Sequence, residues 1–267
     1  MDVIFDAIGK SYQTRSGRPV RAVAHVDLAI PHGTFVSLVG PSGCGKTTLL
    51  DILLGVTAPT TGRVLLDGRD QHDGAETSAE RPAVVLQAPT LLPWRTVRSN
   101  VTLLAACGPA AMRRPRPVRN EVRARADALL DLVGVGDFAD RYPSELSGGM
   151  QQRVAIARAL FTRSPLMCFD EPFSALDEFT RESLHDELQR IWSTEGFTAV
   201  FVTHNIQEAV LLSDRVIVMA PRPGRVVADI SIDLPRPRLH ERMTDPAFGD
   251  LVLRIREALR EGLVEAA

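Results

Sequence analysis

Gly40-Pro41-Ser42-Gly43-Cys44-Gly45-Lys46-Thr47 carries three glycines, a lysine and a hydroxyl in the spacing G-x-x-x-x-G-K-[ST]. Upstream, the short apolar run over residues 34–39 reads as a strand; downstream, residues 47–54 have helical spacing. Strand, glycine-rich turn, helix is the context in which this spacing forms a phosphate-binding loop. The glycines let the backbone curl until successive N–H groups face the β- and γ-phosphates, and the positive end of the following helix adds to the field. Lys46 supplies a point charge, and the Thr47 hydroxyl is a candidate Mg²⁺ ligand with Thr48 beside it.

Composition agrees with a soluble α/β protein. The chain has 267 residues, 45% hydrophobic and 24% charged, enough for one α/β domain or two small ones. A formal net charge of -2 argues against a nucleic-acid binder. Two of the 31 cations are lysines, Lys10 and Lys46, and the other 29 are arginines. A compact ammonium suits the phosphate cradle at Lys46, whereas Lys10 reads as a chance survivor. Cys44, Cys107 and Cys168 are too few and too far apart for a disulfide framework or a metal cluster, which points to a reducing compartment. Acidic residues at positions 2 and 6 leave no cleavable signal, and the longest charge-free run, 28–45, holds Pro31, Pro41 and four glycines, unlike a membrane helix.

Outward from the loop, residues 3–5 and 20–30 alternate as strands, and residues 63–66 and 83–87 are further strand candidates. Residues 166–169 and 199–203 are unbroken apolar runs, expected for central parallel strands covered on both faces. Helical faces begin near Glu121, Gly149, Glu182 and Gln207. Residues 88–145 show little strand signal and read as a helical insertion. The tail after Pro221 is Pro- and Arg-rich, then ends in a helix with Leu251, Val252, Ile255, Leu259 and Leu263 on one face.

Asp170-Glu171 ends the run at 166–169. A carboxylate at the end of a central strand beside a phosphate loop can hold Mg²⁺, while its neighbour reaches an attacking water. Leu146-Ser147-Gly148-Gly149-Met150-Gln151-Gln152-Arg153 adds a second anion-reading helix start, with the Ser147 hydroxyl as a further donor. One triphosphate needs one such cradle. Two in one chain make sense if each nucleotide is clamped between the loop of one copy and the Ser147–Gly149 turn of another.

Here the sequence resembles the ATP-binding cassette (ABC) ATPases, whose signature is LSGGQ, with Met150 standing in place of the glutamine. The resemblance implies a P-loop NTPase α/β fold: a RecA-like parallel-sheet core, an N-terminal antiparallel β subdomain and a helical insertion. It divides the chain into a cassette over 1–220, with 88–158 as its helical subdomain, and a tail over 221–267. It implies that Gln87 contacts Mg²⁺ and the attacking water, that Asp177 in Ser174-Ala175-Leu176-Asp177 lies on a loop crossing the dimer interface, and that His204 contacts the γ-phosphate. It also implies that Tyr12 stacks on adenine, that Glu171 deprotonates water, and that ATP and Mg²⁺ are the ligands.

Leu91-Leu92-Pro93-Trp94-Arg95-Thr96-Val97, followed by Asn100-Val101, is similar to importers of the nitrate, sulfonate and taurine group, as are Pro221-Arg222-Pro223-Gly224 and Asp233-Leu234-Pro235-Arg236-Pro237. That implies a homodimer at the cytoplasmic face of the inner membrane, driving transmembrane permease subunits fed by an extracytoplasmic solute-binding protein. An exposed Trp94 would anchor a permease helix; a tryptophan in the core of the insertion is the alternative. Arg113, Arg114, Arg116, Arg119, Arg123 and Arg125 read as a solvated basic face, with anionic lipid as the alternative. A switch GTPase or P-loop kinase would share 40–47 but has no use for Ser147–Arg153. A soluble ABC ATPase uncoupled from transport would normally carry a long coiled-coil insertion or a second cassette.

Overall fold

The computed structural model describes residues 1–13, 18–71, 82–103 and 116–264. In chain order the elements are β1 (Val3–Gln13), β2 (Pro19–Ile30), β3 (Phe35–Val39), α1 (Lys46–Leu53), β4 (Thr61–Leu66), β5 (Arg69–Asp70), β6 (Ala83–Val85), α2 (Val97–Val101) and α3 (Arg116–Leu132). They continue with α4 (Gly148–Phe161), β7 (Leu166–Asp170), α5 (Glu178–Glu195), β8 (Thr198–Thr203), α6 (Ile206–Leu212), β9 (Arg215–Ala220), β10 (Arg225–Ser231) and α7 (Pro246–Val264). The chain divides into two compact units. The first comprises Met1–Pro82, Pro165–Asp170 and Leu188–Ala267, and the second Ala83–Ser164 and Glu171–Glu187.

Within the first unit, β7, β8, β3 and β9 lie side by side and parallel, and β10 closes the edge antiparallel to β9. Every residue of β3 and β8 is buried, which is why these strands read as continuous apolar runs rather than alternating ones. Register decides what the sheet presents. Val39 pairs with Thr203 and Asp170 with Val202, so the chain leaves β3 at Gly40, β8 at His204 and β7 at Asp170 along one carboxyl edge. That edge is where ligands of open parallel sheets bind. A second sheet of the same unit, ordered β2-β1-β4-β5, is antiparallel throughout, as expected for the N-terminal strands.

The sequence reading missed β9 and β10. β9 follows helix α6 almost directly and β10 lies beyond Pro221 and Pro223, so their pairing was concealed in what read as the start of the tail. The terminal helix packs Phe248, Leu251, Val252 and Ile255 into a core cluster with Val216, Val218 and Ile230 of these strands. Leu259 lies partly buried against it, but Leu263 is exposed, because at that turn it is Gly262 that is buried, where a Cβ would meet Ala220 Cβ at 2.9 Å.

Within the second unit, the described part of residues 88–145 is helical or irregular, with α2, α3 and two short 3-10 turns. Arg98 ties these pieces together, its guanidinium bonded to Asp127 and Asp140. Arg119 and Arg123 are exposed, whereas Arg125 donates to Leu160 O and sits 5.5 Å over the Phe161 ring, so it belongs to packing rather than to a solvated face. Arg113, Arg114 and Cys107 lie outside the described residues. No helix among the described residues is long and apolar enough to cross a membrane.

Candidate functional site

The first unit carries the phosphate loop. Gly43 and Gly45 adopt positive φ, +76° and +94°, a conformation that leaves their backbone N–H groups free to turn inward at little cost only for glycine. At Gly45 a side chain would also strike Val23 Cγ2 at 2.9 Å. Helix α1 begins here with Gly45 at its N-cap, and no side chain caps it, so its first donors are left for a ligand. Gly43, Gly45, Lys46, Thr47, Thr48 and Ala22 line an open cavity.

Lys46 is 7% exposed, and its Nζ donates to Gly40 O at 2.7 Å and Pro41 O at 3.1 Å. The ammonium is thus parked on the carbonyls of the loop it serves. Cys44 lies beneath the loop, fully buried; desolvation pushes its thiol up, against the opposing pull of the Lys46 charge. A buried thiol held in its neutral form is a poor target for alkylation.

Thr47 Oγ1 donates to Asp170 Oδ2 at 3.5 Å, which brings a hydroxyl and a strand-end carboxylate together at the loop. Hard oxygens of these two kinds are what Mg²⁺ selects. His204 stands exposed one residue beyond β8. Its backbone is fixed on both sides: Asn205 N donates to Thr203 Oγ1 at 3.0 Å, and Asn205 Oδ1 accepts from Gln207 N at 2.9 Å as the cap of α6. Tyr12 is partly exposed near the end of β1, and Lys10 Nζ lies 4.9 Å above its ring. Thr57 Oγ1 and Ala58 O hold that ammonium at 3.0 and 2.7 Å. Lys10 therefore has a defined place, which the chance reading did not give it.

One residue that the sequence offers only as part of the Pro221–Gly224 string has a supporting role here. Gly224, in the turn between β9 and β10, exchanges backbone bonds with β2: Gly224 N donates to Ala22 O at 3.0 Å, and Ala24 N donates to Gly224 O at 2.8 Å. A Cβ there would lie 2.3 Å from Cys44 O. The turn thus buttresses the phosphate loop from below. Only a tertiary contact shows this, since Ala22 and Cys44 are far away in sequence.

The second unit carries the other candidates. Glu171 is half-buried and takes φ +46°, a strained conformation for a residue with a side chain. The turn that follows holds it there: Ser174 N and Ser174 Oγ both donate to Glu171 O, at 3.2 and 2.9 Å. Gln87 Nε2 lies 3.4 Å from Glu171 Oε2, so the two residues expected to handle water are neighbours. Asp177 accepts from Thr180 N at 3.0 Å, which caps α5 and holds its carboxyl below the ordinary range.

Ser147, Gly148 and Gly149 form the start of α4. Ser147 Oγ accepts from Met150 N at 3.3 Å, so the hydroxyl expected as a donor to a ligand works first as the helix cap. Gly148 faces open space, and a Cβ on Gly149 would meet Leu176 Cδ2 at 3.3 Å. Gln151 Nε2 donates to Pro143 O at 2.9 Å and Leu146 O at 3.3 Å, so the glutamine beside Met150 secures the entry into the turn. Trp94 is 71% exposed, which excludes the core reading.

Comparison with known proteins agrees with these motifs. The family described as ABC transporter matches residues 23–174. The ABC transporter ATP-binding protein MJ0412 of Methanocaldococcus jannaschii is 47% identical over 224 residues, 84% of this chain and 79% of that one. The taurine import ATP-binding protein TauB of Rhizobium johnstonii is 44% identical over 226 residues, 84% of this chain and 82% of that one. Among solved structures, the ATP-binding cassette MJ0796, a dimer in a post-hydrolysis state bound to ADP and Pi, superposes with a TM-score of 0.77 at 33% identity, over 87% of this chain and 100% of that one. The chain belongs to the ABC transporter family and is one of its ATP-binding ATPases.

Proposed function

We propose that the chain is the ATP-hydrolysing subunit of a bacterial importer for a small anionic solute of the sulfonate, taurine or nitrate type. Two copies clamp ATP between the phosphate loop of one and the Ser147–Gly149 turn of the other. The observation that carries this reading is the pair of glycine-led helix starts in one chain, of which one has a buried lysine at hand and the other has none. The likeness to TauB, to a dimeric cassette, and the LLPW-x-TV string support the importer assignment.

In this reading Lys46 holds the β- and γ-phosphate oxygens, Tyr12 stacks on adenine, and the backbone N–H groups of residues 40–48 line the triphosphate. Thr47, Asp170 and Gln87 would hold Mg²⁺, which supplies charge neutralisation across the β- and γ-phosphates. Glu171 takes a proton from water as the water oxygen bonds the γ-phosphorus and the bond to the ADP oxygen breaks. Gln87 orients that water, and His204 with the opposing Ser147–Gly149 turn stabilises the charge on the phosphoryl oxygens. Asp177 carries contact across the dimer. The cassette spans 1–220 with 88–158 as its helical part, and the tail 221–267 completes the sheet edge and supports the loop.

The subunit would sit peripherally on the cytoplasmic face of the inner membrane, with Trp94 seated on a permease and a solute-binding protein acting beyond it. The test is ATP hydrolysis by the chain alone, with the membrane proteins of neighbouring genes in nanodiscs, with DNA, and with ribosomes. Stimulation by the membrane proteins alone is expected, and Trp94→Ala should keep ATP binding while losing their co-purification. Stimulation by DNA or ribosomes instead would favour a soluble ABC ATPase.

A further inference from the structure

Three side chains, Gln152, Arg158 and Asn100, fix the segment that joins Gln87 to Trp94. Gln152, 1% exposed on α4, donates Nε2 to Leu86 O at 2.9 Å. Arg158, also on α4, donates Nη1 to Thr90 O at 2.9 Å and Nη2 to Pro89 O at 3.0 Å and Thr90 Oγ1 at 3.2 Å. Further on, the fully buried Asn100 accepts from Leu92 N at 2.7 Å and donates Nδ2 to Leu92 O, Arg95 O and Thr96 O, each at 3.1 Å. The knot tied by Asn100 presents Trp94 on a loop with little freedom, and Arg158 and Gln152 fasten the near side of that loop to the helix that opens at Ser147.

Two costs are concentrated at the Arg158 contact. The guanidinium is half-buried among uncharged oxygens, and desolvation lowers its pKa. Thr90 takes φ +44°, strained for a β-branched residue. A charged donor to a carbonyl is worth more than a neutral one, and the planar fork can hold two successive carbonyls at once. A neutral side chain would fill the space without desolvating a charge but could not make that grip.

We propose that Arg158 is a positioning residue that locks the Leu86–Thr96 segment to α4, so that engagement of ATP by the Ser147–Gly149 turn and occupancy of the Trp94 surface are transmitted to one another. The inference rests on the reading of that turn as an ATP-binding element. The contacts of Arg158 are to Pro89 and Thr90, and it acts through the backbone there. Because the contacts run from α4 to carbonyls, substitution should leave the phosphate loop intact and release the segment locally.

The test is amide exchange on the full-length chain in the Glu171→Gln background, which lacks the proposed base and so holds ATP, with and without Mg-ATP. In the parent protein ATP should slow exchange over residues 40–48 and also over 86–96. In Arg158→Met, slowing at 40–48 should persist, while the ATP-dependent slowing at 86–96 disappears and those amides exchange at least ~10-fold faster. Arg158→Lys, which keeps the charge without the fork, should fall between. A purely structural role would accelerate exchange throughout Ala83–Ser164 and leave the ATP-dependent difference in place. Full ATP-dependent slowing at 86–96 in Arg158→Met, or its absence from the parent, overturns the proposal. No slowing at 40–48 in the parent overturns the nucleotide reading beneath it.

Discussion

The phosphate loop and the signature turn are both glycine-led helix N-termini, yet they are finished differently. At the loop the cap position is Gly45, in left-handed conformation, with no side-chain cap. At the turn the cap is Ser147, in extended conformation, with its oxygen already bonded to Met150 N. The loop has Lys46 buried against it and a second backbone turn, at Gly224, pressed beneath it. The turn is exposed at Ser147 and Gly148, and no lysine or arginine side chain bonds to Ser147, Gly148 or Gly149 among the described residues. In the proposed reading the first end is the one equipped to hold the triphosphate, and the second, a self-capped surface, adds donors to a phosphate held by another copy.

The sharpest way to break this contrast is to remove the cation. Lys46→Ala should abolish detectable ATP binding and lower hydrolysis at least ~100-fold, read by nucleotide titration and phosphate release. Gly149→Ala should act on the other half. Its methyl presses on Leu176, so hydrolysis should fall about 10- to 100-fold while the Kd for ATP at the loop changes by less than about twofold. A rise in Kd as large as that of Lys46→Ala would erase the distinction between the two ends.

Gly224→Ala should have the smallest effect. Its Cβ must displace Cys44 O, so KM for ATP should rise several-fold, by roughly 1 kcal/mol of lost preorganisation, with a Tm shift of a few degrees. An unchanged KM would mean that the turn packs against the loop without shaping it.

How legible each region was follows from where its contacts lie. The loop, the Asp170-Glu171 pair and the signature turn are short stretches whose chemistry is local, so their spacing in sequence carried them. Strands β7 and β8 were readable because burial on both faces leaves an apolar run. β9 is equally buried, but with helix α6 close before it and Pro221 after it, no flanking signal separated it as a strand. Lys10 looked idle because its partners, Tyr12 apart, are 47 and 48 residues away. Arg158 lies near the motif it serves, but its target carbonyls are 68 and 69 residues upstream and carry no side-chain signature. Ser147 shows a different limit: its residue type indicated a polar role at the helix start, but only the geometry shows the oxygen accepting from its own helix.

The central claim is that a loop and a turn from different copies complete one site. Mixing two variants of strongly reduced activity, Lys46→Ala and Gly149→Ala, tests it directly. In a random mixture half of the dimers are mixed, and each mixed dimer pairs one intact loop with one intact turn. Hydrolysis should therefore recover to about a quarter of the wild-type rate at equal total protein. A mixture no more active than either variant alone would contradict the shared site.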